Sequence, residues 1–98
     1  MSTGAASPPE AEQAGFQGQI PAVEALLTEV IATLVLAAHA YLTEDDARQA
    51  DHPSAEVAID VATAAFERVK ERLRPDERLA ITQMLTETRM TFVRKRGT

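Results

Sequence analysis

The sequence contains no cysteine and no tryptophan among its 98 residues. Without cysteine, the chain has no disulfide, no zinc-binding thiolate and no thiol nucleophile. All four glycines lie in the terminal segments, so there is no glycine-rich phosphate-binding loop. Serine occurs only at Ser2, Ser7 and Ser54, which argues against a preorganised Ser-His-Asp arrangement. We therefore predict that the protein is not an enzyme.

Positive charge is scarce in the first two thirds of the chain. Residues 1–65 hold ten acidic residues against Arg48 alone, whereas residues 66–98 hold nine basic residues against five acidic ones. The net charge of −5 argues against general nucleic-acid binding. One interpretation of this uneven charge distribution is that both parts are ordinary solvated surfaces. The alternative is that it guides antiparallel pairing or attracts an acidic partner.

The basic residues at the C-terminus are the best candidate patch for an anionic partner. They are Arg94, Lys95 and Arg96. Cations in the last turn of a helix also stabilise its dipole, so this patch has a purely structural interpretation as well.

The first eighteen residues contain almost no bulky apolar side chain. Their sequence, MSTGAASPPEAEQAGFQG, predicts a disordered tail in residues 1–18. The tail has neither the basic start nor the apolar stretch of a secretory signal, so we expect a cytoplasmic protein. Residues 19–96 are then a single helical domain. Domains of this size without disulfides or metals usually gain stability from tight packing or oligomerisation.

Three prolines mark the expected helix starts: Pro21, Pro53 and Pro75. We predict helices over residues 21–42, 53–73 and 75–93. The fold class is therefore all-α: a three-helix bundle with a long apolar first helix, followed by an antiparallel hairpin of the second and third helices. The link between the first two helices opens with a capping-box-like pattern from Thr43 to Asp46, which favours a turn of helix there.

The first helix carries more apolar surface than two neighbouring helices can cover. Its apolar side chains span about half of the circumference, and Leu36 projects from the opposite side. From Val30 to Leu42 only Thr33 and His39 are strongly polar. This run has thirteen residues, fewer than the roughly 20 of a membrane span, so we expect no transmembrane segment. The third helix has a second apolar stripe opposite its main face. These patterns favour a homo-oligomer, and a two-fold dimer before other states, over a monomer with a few exposed leucines. The predicted oligomer interface consists of Leu27, Ile31, Leu34, Val35, Leu36, Leu79, Met90 and Val93.

Neither histidine has the spacing of a metal site. His39 has no histidine or carboxylate one turn away, and His52 follows an acidic link that lacks the glycine and terminal glutamate of a calcium loop. Carboxylates at Glu44 and Asp46 lie in a hydrophilic link that does not offer the burial needed for acid-base catalysis. We predict no catalytic residues, no metal and no cofactor.

The C-terminal part of the sequence resembles a known family. Residues 55–93 include AEVAID and LRPDERLAITQMLTETRMTFV, in which Pro75, Asp76, Glu77, Met90 and Phe92 occupy characteristic positions. This stretch is similar to the bacterial domain-of-unknown-function family eighteen forty-four, whose members are small helical proteins. The resemblance implies a helical fold and a bacterial cytosolic origin but no activity. Two departures are Arg74 in place of the usual threonine, which loses a good N-cap, and residues 41–43 in place of a Leu-Gly ending.

Arg89 borders the main apolar face of the third helix. One hypothesis is that its guanidinium reaches a carboxylate on another helix or subunit, for example Glu29, and the alternative is simple surface placement. Taken together, the sequence favours a non-catalytic, self-associating helical interaction module, an adaptor or scaffold. The alternatives are a binder of nucleic acid or an anionic surface through the basic end, and an accessory subunit of a larger complex.

Overall fold

The described part of the chain, residues 18–97 of a computed structural model, folds into three α-helices. They are α1 (Val23–Leu42), α2 (His52–Val69) and α3 (Pro75–Arg96), with a 3₁₀ turn at Lys70–Arg72 between α2 and α3. No β-strand forms within these residues, which confirms the all-α prediction. The predicted disordered tail lies almost wholly in residues 1–17, outside the described residues.

Local side-chain chemistry sets where the helices begin. Pro75 is the first residue of α3 and Pro53 is the second residue of α2, positions at which a missing N–H costs no hydrogen bond. The Asp51 carboxylate caps α2 by accepting hydrogen bonds from the Ser54 backbone N–H at 3.0 Å and its hydroxyl at 2.8 Å. α1 begins at Val23 instead of Pro21, so the sequence placed its start two residues early.

The N-terminus of α3 is stabilised despite the missing threonine. The Glu77 carboxylate reaches back and accepts a hydrogen bond from the Arg74 backbone N–H at 3.1 Å. This is half of a capping box, so one orphan donor of the first turn is satisfied without a threonine or serine N-cap.

The order of the cross-helix contacts gives the topology. Arg78 lies 3.5 Å from Glu71 beside the α2–α3 connection, and Arg89 lies 3.4 Å from Asp60 farther along both helices. Partner numbers fall along α2 as they rise along α3, so these helices run antiparallel. α1 is antiparallel to α2 as well, because Glu24 in its first turn meets Arg72 at 3.1 Å while Leu42 at its end packs with Ala55.

The core fills the space between the three helices in two clusters. Helix spacings of three and four residues place the buried side chains of each helix on one face. The cluster nearer the α2–α3 connection consists of Ile31, Val35, Ala62, Phe66, Val69, Leu73, Ile81 and Leu85. The cluster at the opposite end consists of Ala38, Leu42, Ala55, Ala58, Ile59 and Phe92. Small alanines in both clusters let α1 and α2 approach closely, and this pair makes the most extensive contact of the fold.

The link between α1 and α2 is held by hydrogen bonds and contains no helical turn. The backbones of Asp45 and Arg48 pair in both directions, at 3.0 and 3.2 Å. The Arg48 guanidinium donates to the Ala40 carbonyl at 2.6 Å and to the Thr43 carbonyl at 3.4 Å. The predicted turn of helix after Thr43 is wrong, since the Thr43 hydroxyl bonds backwards to the His39 carbonyl instead of capping forwards.

Candidate functional site

The outer side of the α1–α2 pair carries exposed apolar side chains that no helix of the described chain covers. On α1 they lie three and four residues apart from Val23 to Val30 and resume at Tyr41, about three turns farther on. On α2 they lie one turn apart, so each set forms a stripe beside the other helix. We call this surface the α1–α2 face. Its large exposed members are Val23, Leu26, Val30, Tyr41, Val57 and Val61.

The α1–α2 face is grooved and continuous. A cavity of about 350 Å³ reaches from Ala37 and Tyr41 across to Pro53 and Val57. A second cavity, of about 280 Å³, lies along α1 between Leu26 and Leu34. Leu34 lines both, so the two depressions join into one apolar surface.

The predicted oligomer interface divides into four groups in the structure. Ile31 and Val35, at 0% and 5% exposure, belong to the protomer's own core, which corrects their assignment to an interface between copies. Leu27 and Leu34 are half-buried against that core. Leu36 is 72% exposed on the side of α1 that points away from the α1–α2 face. The sequence pattern shows which side chains are apolar but not which neighbour covers them.

The remaining three predicted residues lie on the back of α3. Leu79, Met90 and Val93 are each nearly 60% exposed. Met90 also lines a cavity of about 330 Å³ between α2 and α3, whose wall includes Phe66 and Leu85. The third helix therefore has the two apolar stripes expected of it, and they do not adjoin the outer side of the α1–α2 pair.

Val57 and Val61 were missed as surface candidates. Neither is among the predicted interface residues, yet Val61 is 49% exposed and Val57 is 62% exposed. Both are β-branched apolar residues at exposed helix positions, where good helix formers such as glutamate or lysine are more favourable. This mismatch between residue type and helix position is the feature of the sequence that could have identified Val57 and Val61 as surface residues.

α1 is also long and apolar enough to cross a membrane. It has 20 residues with a mean hydropathy of 1.8, and it is the one helix within residues 18–97 that meets this test of length and composition. Core helices of soluble proteins meet the same test. Only 22% of its most apolar window is buried, so α1 leaves more apolar surface than its two neighbours cover.

Each of the two histidines contacts a side chain of α3. His39 Nε2 lies 3.2 Å from the hydroxyl of Thr88, a side chain that is 1% exposed, and this contact ties α1 to α3. His52 packs edge-on against Phe92 with ring centres 6.2 Å apart. Its Nε2 is enclosed and has no hydrogen-bond partner among the described residues.

The basic C-terminus borders a cavity. This cavity, of about 430 Å³, lies where the end of α1, the α1–α2 link and the end of α3 meet. We call it the C-terminal cavity. Its lining consists of Leu42, Glu44, Ala50, His52, Arg94, Lys95 and Arg96. The Arg96 guanidinium lies over the Phe92 ring, 5.3 Å from its centre, so this side chain is held beside the cavity.

Acidic residues from the first two thirds of the chain meet basic residues from the last third within one chain. Arg89 contacts Asp60 at 3.4 Å and the Thr63 hydroxyl at 3.3 Å on α2, so its partner is not Glu29. Arg72 contacts Glu24 at 3.1 Å. The pKa of Glu24 is lowered mainly by a hydrogen bond from its own backbone N–H and, to a smaller extent, by the Arg72 guanidinium. These exposed pairs orient the helices more than they stabilise them.

The structure brings no metal-ligand set together: among residues 18–97, no group of three or more His, Asp or Glu side chains lies close enough to hold an ion. Two carboxylates of the link are engaged locally: Glu44 accepts a hydrogen bond from the Ala50 N–H at 3.5 Å, and its neighbour Asp45 accepts one from the Ala47 N–H at 2.9 Å.

Comparisons with known proteins add no homologue. Neither a protein-family model, nor a curated protein, nor a solved structure matches this chain. The resemblance of residues 55–93 to family eighteen forty-four therefore stays a prediction from the sequence.

Proposed function

We propose that the protein is a non-catalytic helical interaction module that self-associates into a two-fold dimer through the α1–α2 face and acts as an adaptor or scaffold. The observation that carries this proposal is the row of large apolar side chains on that face. Apolar patches of this kind, rimmed by polar residues, mark interaction surfaces in soluble proteins. The polar rim here includes Glu29 and Thr33 beside one cavity and Ser54 beside the other.

The dimensions of the face suit a second copy of the chain. A helix of 20 residues is about 30 Å long. Two packed helices with axes about 8–10 Å apart present a surface about 20 Å wide, hence about 600 Å². The smallest stable interfaces bury about that area on each partner. A two-fold axis through the face sets α1 and α2 of one copy against the same pair of the other, which buries each copy's valines together.

A second copy explains the face better than a lipid bilayer does. If α1 crossed a membrane, it would have to leave α2 and α3. That would expose Ile59, Phe66 and Phe92, which are now buried, to water. It would also take Glu24 away from Arg72.

Light scattering coupled to size exclusion tests the proposal. Wild-type full-length protein at high concentration should show twice the 10.6 kDa mass of one chain. Val57→Glu should return the mass to that of a monomer, because a desolvated carboxylate at the dimer centre is costly. Circular dichroism should show the same helix content for the variant, since residue 57 is exposed in the protomer.

Leu36→Glu and Met90→Glu are matched controls on exposed sites outside the α1–α2 face. Both should stay dimeric. A monomeric wild type would overturn the proposal, and a dimer broken only by Met90→Glu would move the interface to the back of α3. Co-flotation of the wild type with phosphatidylcholine vesicles would identify a bilayer as the occupant instead.

A further inference from the structure

We infer that the cavity of about 330 Å³ between α2 and α3 is the docking site of the chain's own N-terminal segment, residues 10–17, with Phe16 inserted into it. We call it the α2–α3 cavity. The inference is independent of the proposed dimer, because no residue of α1 lines this cavity. The apolar lining, the reach of the segment and the complementary charges of the two support it.

The α2–α3 cavity is apolar where the two helices meet. Its floor is formed by Phe66 and Leu85, which are nearly buried, and Met90 at its mouth is 59% exposed. An aromatic ring in this cavity packs against the Phe66 ring and the Met90 sulfur, and both kinds of contact are favourable. The ring also removes the exposed surface of Met90 from water. The lining therefore suits an aromatic side chain.

Phe16 is the one aromatic residue among residues 1–17. It lies between Gly15 and Gly18, so few neighbouring side chains obstruct a close approach of the segment to the two helices. Gly18 has φ of +80°, which glycine adopts readily, and the chain bends there before α1 begins. The sequence thus offers a single aromatic side chain on a segment that can turn away from the axis of α1.

The segment leaves α1 at the end of the bundle near which the cavity begins. Glu24 in the first turn of α1 contacts Arg72 in the connection between α2 and α3. The cavity begins at Thr82, about 10 Å along α3 from that connection. It lies about one interhelical spacing, or about 8–10 Å, across the bundle from α1. The chain from Phe16 to the start of α1 extends to about 24 Å, so Phe16 can reach the cavity.

The charge of the segment complements that of α3. Residues 1–17 contain Glu10 and Glu12 and no lysine or arginine. An open depression of about 380 Å³ continues from the cavity along α3 to Arg94. The Arg94 guanidinium donates to the Thr91 hydroxyl at 3.5 Å, and no carboxylate among residues 18–97 forms an ion pair with it. The depression therefore presents an arginine to a carboxylate of the bound segment.

The spacing of the residues matches this pairing. The four residues from Phe16 to Glu12 span about 13 Å when extended. The nine residues from Leu85 to Arg94 also span about 13 Å, because they are helical. With Phe16 in the cavity and the segment antiparallel to α3, Glu12 lies beside Arg94.

Amide NMR spectra of the full-length protein test the docking. Phe16→Ala should shift the signals of residues 63–67 and 82–90, because these residues lose contact with the aromatic ring. Ile20→Ala is the matched control: it removes a side chain that is 87% exposed and should move only signals close to residue 20. Changes in Phe16→Ala that are confined to its sequence neighbours, or that lie on the α1–α2 face, would overturn the inference.

A synthetic peptide of residues 7–18 tests the same site by competition. Added to full-length Phe16→Ala protein, it should shift the signals of residues 63–67 and 82–90 to saturation. In the wild type the attached segment acts at an effective concentration of about 1 mM and competes with the peptide. The apparent dissociation constant should therefore be about tenfold higher for the wild type. Equal constants, or no binding to Phe16→Ala, would contradict docking of the attached segment.

A double-mutant cycle tests the pairing of Glu12 with Arg94. Glu12→Gln in the peptide and Arg94→Gln in the Phe16→Ala protein should each raise the dissociation constant about threefold, as expected for an exposed ion pair. Both changes together should raise it no further. Arg68→Gln removes the same charge on α2 outside the cavity and the depression, and it should leave binding unchanged. Equal effects of Arg68→Gln and Arg94→Gln would refute the pairing.

Discussion

Thr88 is the one buried polar side chain within residues 18–97. Its hydroxyl donates to the Met84 carbonyl at 2.7 Å and lies 3.2 Å from His39 Nε2. Thr88→Val keeps the shape and removes the contact between helices. We expect the free energy of unfolding to fall by about 1–3 kcal/mol, because valine removes both hydrogen bonds of the hydroxyl and each has a net value of about 0.5–1.5 kcal/mol. Urea denaturation measures it.

A double-mutant cycle of Thr88→Val with His39→Ala isolates the contact between the helices. The loss of unfolding free energy in the double variant should be smaller than the sum of the two single losses by about 0.5 kcal/mol or more, because each single variant already deletes the same interaction. Thr91→Val combined with His39→Ala is the matched control. The Thr91 hydroxyl donates to the Glu87 carbonyl of its own helix, so the losses in this pair should be additive. Additive losses in the first pair would contradict the assignment of this hydrogen bond.

Asp51 links stability to pH. Hydrogen bonds from the Ser54 hydroxyl and then its backbone N–H lower the pKa of this carboxyl from its ordinary 3.8. A lowered folded-state pKa means that the stabilisation is fully present above the unfolded-state value and is lost as the pH falls through the folded-state value. The melting temperature of Asp51→Asn should therefore lie below that of the wild type at about pH 7, with the gap closing toward about pH 3. A constant gap would show that the carboxylate charge is not responsible.

At the scale of the helices, α1 and α2 depend on alanine where they meet. Ala62 is fully buried among Ile31 and Val35. Ala62→Leu should lower the free energy of unfolding by about 1–3 kcal/mol, because extra methylenes in a packed core force shifts of the backbone or strained rotamers. Ala64→Leu, on the exposed side of the same helix, should change it little. Thermal or urea melts of both variants make the comparison, and equal losses would place the close contact elsewhere.

The sequence was most informative where one residue determines a local structure. Pro53 and Pro75 fix helix starts through backbone chemistry that needs no tertiary context, and both predictions were right to within a residue. The start of α1 was less well defined, because Pro21 is followed by Ala22, which has no capping side chain. Arg74 at the N-cap of α3 led us to expect a poorly capped helix. The Glu77 carboxylate instead accepts the hydrogen bond of the Arg74 backbone N–H.

The candidate surfaces were only partly predictable, for a reason of geometry. Ile31 and Leu36 both add apolar surface to α1, yet one is fully buried and the other is 72% exposed. A helical pattern gives the angle of each side chain around its own axis, whereas coverage depends on where the other helices lie. The C-terminal cavity is harder still, since it joins residues 42–52 to Arg94 and Arg96 across the fold.

At the scale of the whole molecule, self-association should appear as concentration-dependent stability. A partner that binds only the folded chain raises the melting temperature by mass action. We expect the wild-type melting temperature to rise over a hundredfold increase in concentration, and that of Val57→Glu to stay constant. Calorimetry at several concentrations measures this. A flat profile for both would count against the dimer even if elution volumes suggested one.

The close α1–α2 contact has a consequence for synthesis. These two helices precede α3 in the chain and make the most extensive contact of the fold, so they can pair during synthesis before α3 packs against them. Until α3 emerges, Ile31 and Phe66 lack Ile81 and Leu85 as neighbours. The nascent pair is then apolar on both sides, so we expect the chain to be most prone to aggregation and to chaperone binding before α3 docks.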